Sequence, residues 1–199
     1  MRDSPRAERA NKSIEENSMT TSFSLRESLS IALVASLLSG AVAIAQAQHP
    51  SDANIAALID EANAGDSALA AAALPNLTSK GARNFAQMMM GEHHALHMQG
   101  IGVEQQQHLT PELPSPDPFK PAVEAEQSAL ASMTKGQMYD STYIAHEAAI
   151  HKAVIDWVTA ADHQPQNAAY KTYLKNAGPV LVKHLHMAEE LERKMHHTK

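Results

Sequence analysis

The sequence contains no cysteine, so no disulfide, thiolate metal site or cysteine nucleophile is open to it. Aromatic residues make up only 4% of the chain, and runs of alternating β-branched residues are missing, which removes the usual signature of a sheet. There is no excess of positive charge either. Acidic and basic residues are interspersed to a formal net charge of -6, and this argues against a nucleic-acid partner. Nor is there a glycine-rich phosphate loop, a Gly-x-Ser-x-Gly elbow or a His-Glu-x-x-His motif. The nearest approach to the last is His146-Glu147 followed by His151. That spacing is one residue too long, with Ile150 where the second histidine would stand, so hydrolysis by that route is rejected.

What the chain has instead is alanine, 12 histidines and 10 methionines. At 199 residues it is long enough for one domain with a sizeable core. The expected class is all-α, with helices packed closely through small side chains.

Residues 29–45 form an apolar run preceded by Arg26 and followed by small residues around Ala43, Ala45 and Ala47. This is the layout of a cleavable secretory signal, cut after Ala45 or Ala47. An uncleaved N-terminal anchor is the alternative, although the run is short for a membrane span and ends without a basic residue. Because a signal normally begins close to its methionine, Met19 competes with Met1 as the start. The domain reading is therefore an N-terminal extension and signal over 1–47 and a helical domain over 48–199. It places the mature chain in the periplasm or outside the cell, with no stable membrane span after cleavage. The sequence sets no oligomeric state.

Prolines and glycines divide the rest. Ser51 can cap a helix through about Leu74, and Ser79 a second through about Gln107. Five prolines between Pro111 and Pro121 predict an extended crossover long enough to pass the end of a bundle. A short extra helix comes next over about 121–133, and Gly136 separates it from a helix over 137 to about 163. A last helix spans about Asn167 to His197, with Pro179 expected to kink it.

Each long helix carries an apolar seam at alternating spacings of three and four, and each seam has a polar interruption near its middle. In the first helix it is Asp66, in the second His93, in the third the pair Glu147 and His151, and in the last His184. Antiparallel helices of similar length would bring these five to one level of the interior. A buried carboxylate or imidazole is costly without a partner or a metal, and bundle-core metal sites are built from such inward-facing groups.

Three stretches carry a family resemblance: Phe85 to His93 (Phe-Ala-Gln-Met-Met-Met-Gly-Glu-His), Tyr139 to Tyr143 followed by His151, and Gly178 to Leu185. On them the chain resembles a ferritin-like family of exported bacterial proteins of unknown function, often labelled predicted outer-membrane or putative membrane proteins. The resemblance implies an antiparallel four-helix bundle with a metal site. Its pattern of an acid and a histidine, then one histidine in each of two later helices, falls on Glu92, His93, His151 and His184. The chain departs from the wider di-iron pattern, because no Glu-x-x-His pair lies on its seams.

Three imidazoles and two carboxylates suit one divalent transition metal, with iron, manganese or zinc as the expected ion. Copper is the second choice, with Met89 one turn from His93 as a soft ligand. Met88, Met90, Met98 and Met187 are otherwise expected to fill the core. His94, His97, His146 and His186 fall off the seams and are expected at the surface or its boundary. Tyr143 is expected in the core, with a hydrogen bond to Glu147 as the alternative. Two readings compete with the metal site: a polar core that fixes helix register in a non-catalytic envelope protein, and a pH-responsive bundle.

Overall fold

The computed structural model describes residues 49–197. The predicted signal, its cleavage points and Met19 lie outside the described residues. Those described form five α-helices: α1 (Asp52–Ala73), α2 (Lys80–Gln107), α3 (Lys120–Ala131), α4 (Gln137–Thr159) and α5 (Ala168–His197), with one 3-10 turn at Ala161–His163. No strand occurs among them. The all-helical expectation holds, and none of the described helices is long and apolar enough to cross a membrane.

Local chemistry sets the helix ends. Ser51 and Asn54 form a reciprocal capping box at the start of α1, each side chain accepting from the other's backbone N–H at 3.1 Å. At the start of α2, the Ser79 hydroxyl accepts from the Ala82 N–H. Before α5, the Asn167 side-chain Oδ1 accepts from the Tyr170 N–H. Gly136, at φ 151, opens α4 in a conformation that a side chain would strain. The third long helix stops earlier than the sequence predicts. Ala160 turns to an extended conformation, and the last residues before Pro165 form the 3-10 turn instead. α5 continues past Pro179, which lies inside the helix without ending it.

Long-range hydrogen bonds join the helix ends. Asp140, in the first turn of α4, is almost fully buried and accepts from Thr78 N, Thr78 Oγ1 and Ser79 N at 2.6–2.9 Å. It therefore holds the α1–α2 turn against the start of α4. Asp52 does the same at the other end, accepting from the Gln166 and Asn167 N–H groups just before α5. The proline-rich crossover passes the first turn of α1, where the Glu112 N–H donates to the Ala53 carbonyl and Asn54 Nδ2 donates to the Glu112 carbonyl. α1 packs on α2, α2 on α5, α5 on α4, and α3 on α4.

The apolar interior falls into two clusters. One gathers Phe85, Met89, Leu130, Tyr143, Ile144 and Ala188. The other gathers Ile55, Leu58, Leu96, Ile150, Tyr170 and Tyr173. In sequence the polar interruptions fall between members of the two: His93 between Met89 and Leu96, His151 between Ile144 and Val154, and His184 between Ala177 and Ala188. Met88, Met90 and Met187 pack against the first cluster as expected. Met98 does not, and stands half-exposed on the outer face of α2.

Candidate metal centre

All five predicted residues meet in the interior, but as two overlapping groups. His93, His151 and His184 form one, and Asp66, Glu147 and His151 form the other, each with ligand atoms within 4.8 Å of one another. His151 belongs to both. The three histidines and Glu147 are at most 2% exposed, and 13% of the Asp66 side chain reaches the surface.

The hydrogen bonds around the histidines determine what the first group can do. His93 Nδ1 lies 2.9 Å from Asn63 Oδ1. The amide's orientation is settled by its other end, since Asn63 Nδ2 donates to the Tyr173 hydroxyl and that hydroxyl donates to the Leu96 carbonyl. His93 Nδ1 must therefore carry the proton and donate. His151 Nδ1 donates to the Glu147 carbonyl at 2.8 Å. His184 Nε2 donates to Glu92 Oε2 at 2.8 Å. A neutral imidazole has one N–H, and each of these three directs it away from the centre. What faces inward are three lone pairs, on His93 Nε2, His151 Nε2 and His184 Nδ1.

These lone pairs are close. His93 Nε2 is 3.2 Å from His151 Nε2 and 3.1 Å from His184 Nδ1. With no proton left to place between them, such contacts bring like partial charges together in a dry interior. Asp66 Oδ2 adds a fourth donor atom, 3.5 Å from His93 Nε2 and 3.9 Å from His151 Nε2. Around an ion with bonds of ~2.0–2.1 Å, tetrahedral ligand atoms sit roughly 3.3 Å apart and adjacent octahedral ones roughly 3.0 Å. The two imidazole separations, 3.1 and 3.2 Å, fall between these values, while Asp66 stands somewhat farther out at 3.5 and 3.9 Å. The cluster could hold a metal ion without large movement.

Protonation favours the same outcome. Burial, reinforced by the two neighbouring imidazoles, pushes His93 down to about 2. Burial also brings His151 down to about 4, against the pull of its hydrogen bond to the Glu147 carbonyl. His184 is lowered by burial too, although Glu92 works the other way. All three are neutral at pH 7 and ready to ligate. Burial pushes Asp66 up to about 7, so without a cation it holds a proton around neutrality.

Glu147 belongs to the second group. Its nearest approach to an imidazole is Oε2 to His151 Nδ1, at 3.6 Å, on the side of the ring away from the three lone pairs. Neither oxygen has a well-formed hydrogen bond, although the Tyr143 hydroxyl interacts with the carboxyl and opposes the effect of its burial. Burial first, then the neighbouring carboxyls Asp66 and Glu126, raise it well above the ordinary range. Tyr143 stands one turn before it, fully buried, its hydroxyl also without a well-formed partner. The core placement expected for Tyr143 holds.

The seams left out three contributors, of which the family resemblance had named one, Glu92. Asn63, which orients His93, is more buried than Asp66. The signal was present, because Asn63 continues the stripe Ala56, Ile59, Ala70 and Ala73. α1 has so many alanines that its seam can be drawn one position either way. Glu92 does not point at the lone pairs; it anchors His184. Partial burial opposes its charge, but hydrogen bonds from Lys183 and His184 hold it below the usual carboxylate range. Glu126, on the short α3, is 3% exposed, its Oε1 lacks a partner, and burial together with Asp66 pushes it up to about 8. The off-seam histidines lie where expected: His94 and His186 are exposed, and His97 and His146 are at the boundary.

Residues 38–191 match the model of a family described as a domain of unknown function, DUF4142. No curated protein and no solved structure matches the chain.

Proposed function

The chain belongs to the DUF4142 family, and we propose from its buried centre that it is an exported metal-binding protein holding one divalent transition metal. His93 Nε2, His151 Nε2, His184 Nδ1 and Asp66 are the first ligands in this reading, with Glu147 beside them as a fifth donor or proton holder. The observation that carries it is the set of three inward lone pairs, with His93 Nε2 3.1–3.2 Å from the other two and each imidazole having its only proton engaged outward. Iron, manganese or zinc fits a set of imidazoles and carboxylates best. Such an ion supplies Lewis acidity, and iron or manganese also supplies redox chemistry. The helices are read as an antiparallel four-helix bundle of the ferritin-like kind, because Asp140 and Asp52 tie helix ends together at both ends of the molecule. Export to the periplasm or beyond is read from the apolar run at 29–45.

The competing reading is a metal-free polar core. The complete outward hydrogen bonding of the histidines is the observation in its favour. Elemental analysis of the untagged full chain separates the two. Near one equivalent of a transition metal, lost on His151→Ala, is expected. No metal as purified, with no uptake of iron, manganese, zinc or copper on titration, would refute the metal-binding reading.

A further inference from the structure

The centre has one side that approaches the outside. Asp66, the member of the five with exposed surface, lines a pocket of about 150 Å³ between α1, α3 and α4. None of the three histidines lines it, nor does Glu147. Leu58, Leu69, Phe119, Val123, Ile150 and Val154 make its walls apolar. The buried polar group that joins Asp66 there is Glu126, whose Oε1 has no hydrogen-bond partner. Lys120 and Gln127 also line it but are exposed, as is Glu61.

We propose that this pocket receives a small, uncharged, hydrogen-bonding molecule and presents it to the centre beside Asp66, with Glu126 engaging its polar end. The inference rests on the metal-binding reading above. Size sets the first limit. At about 30 Å³ per water, the pocket holds about five waters, so a ligand of a few non-hydrogen atoms fits and a nucleotide, sugar or haem does not. Charge sets the second. An anion would meet three carboxyl groups, Glu61, Asp66 and Glu126, with only the exposed Lys120 to offset them, and a free cation would lose its hydration to apolar walls. A neutral molecule that can both donate and accept avoids both costs and satisfies Glu126.

The test uses the full chain loaded with cobalt(II), whose visible spectrum reports changes at the metal. The probes are imidazole at pH ~8.5, where it is uncharged, and azide, which is smaller but anionic. Imidazole should perturb the spectrum with an affinity at least about tenfold above that of azide. A Cβ at Gly65 would meet nothing within 4 Å, and Gly65 lines the pocket. Gly65→Leu should therefore fill the space, keep its cobalt and weaken imidazole by about tenfold or more, while Gly65→Ala keeps the response. Ala62→Leu, on the same wall, takes the place of Gly65→Leu should that variant not fold. Glu126→Gln should narrow the gap between the two probes. Undiminished imidazole binding in a cobalt-loaded, plugged variant would overturn the proposal, as would equal binding of azide and imidazole by the unaltered protein. Cobalt uptake with no response to imidazole would sink the pocket alone. Failure to take up cobalt would sink the centre and the pocket with it.

Discussion

Replacing His151 by leucine sets the metal centre and the polar core against each other, because the two predict opposite effects in metal-free protein. The ring's only donated hydrogen bond goes to the Glu147 carbonyl within its own helix, and its other nitrogen faces a neighbouring lone pair at 3.2 Å. Leucine removes that contact, has a similar volume and orphans no backbone group that was not already bonded in the helix. If the site is built for a metal, metal-free His151→Leu should be within about 1 kcal/mol of the unaltered protein, as volume-conserving swaps usually are. If the imidazoles are instead a cooperative polar core, losing one should cost about 1–3 kcal/mol. At roughly 2–4 °C per kcal/mol for a domain of this size, that is a fall in Tm of several degrees. Adding metal provides the second half of the test. A site saturated about 100-fold above its Kd stabilises by about 2.7 kcal/mol, a rise of roughly 5–10 °C that His151→Leu should abolish. Calorimetry of both proteins, first with chelator and then with zinc or manganese, measures both quantities. A variant that keeps the full metal-induced rise, or that unfolds many degrees lower without metal, would refute the reasoning.

Asn63→Leu leaves every proposed ligand in place but frees His93 to rotate or change tautomer. Loss of such an orienting partner typically weakens metal binding by about 10–100-fold, and competition titration against a coloured chelator should show it with the stoichiometry unchanged. A second prediction concerns Glu104, away from the centre, which burial and then Asp60 push up to about 7. A carboxyl raised on folding lends stability that is complete below its unfolded value near 4.5 and is lost as pH rises through about 7. Between pH ~5 and ~8 the metal-free protein should therefore lose thermal stability relative to Glu104→Gln, which lacks this contribution. An unchanged profile in the variant would show that Glu104 ionises freely in the fold.

Much of the candidate site was legible because helices repeat. Three- and four-residue spacing places His93, His151 and His184 on the same stripes as Met89, Ile144 and Ala188, so their burial is a consequence of pattern alone. The same logic blurred in α1, where a run of alanines gives little contrast between faces. Asp66 was read as the inward residue, whereas Asn63 is the deeper of the two. Glu126 was out of reach for a different reason. Its helix has only three turns, and nothing local indicates that α3 lays it beside the pocket at Asp66.

The sequence by itself determined much of the elements: where three of the five helices start, because Ser51, Ser79 and Asn167 each cap a helix beginning at the next residue, and which stripe of each long helix turns inward, because apolar spacing is a property of the chain. It also determined that four polar side chains on three of those stripes, with an acid on the fourth, would need company in the core. Tertiary structure decided what kind of company. Tautomers depend on which acceptor lies outside each ring, and those acceptors come from other helices for two of the three: Asn63 on α1 for His93, and Glu92 on α2 for His184. Only once the helices pack do three protons point outward and three lone pairs inward, and only then does the interior have a place for a cation.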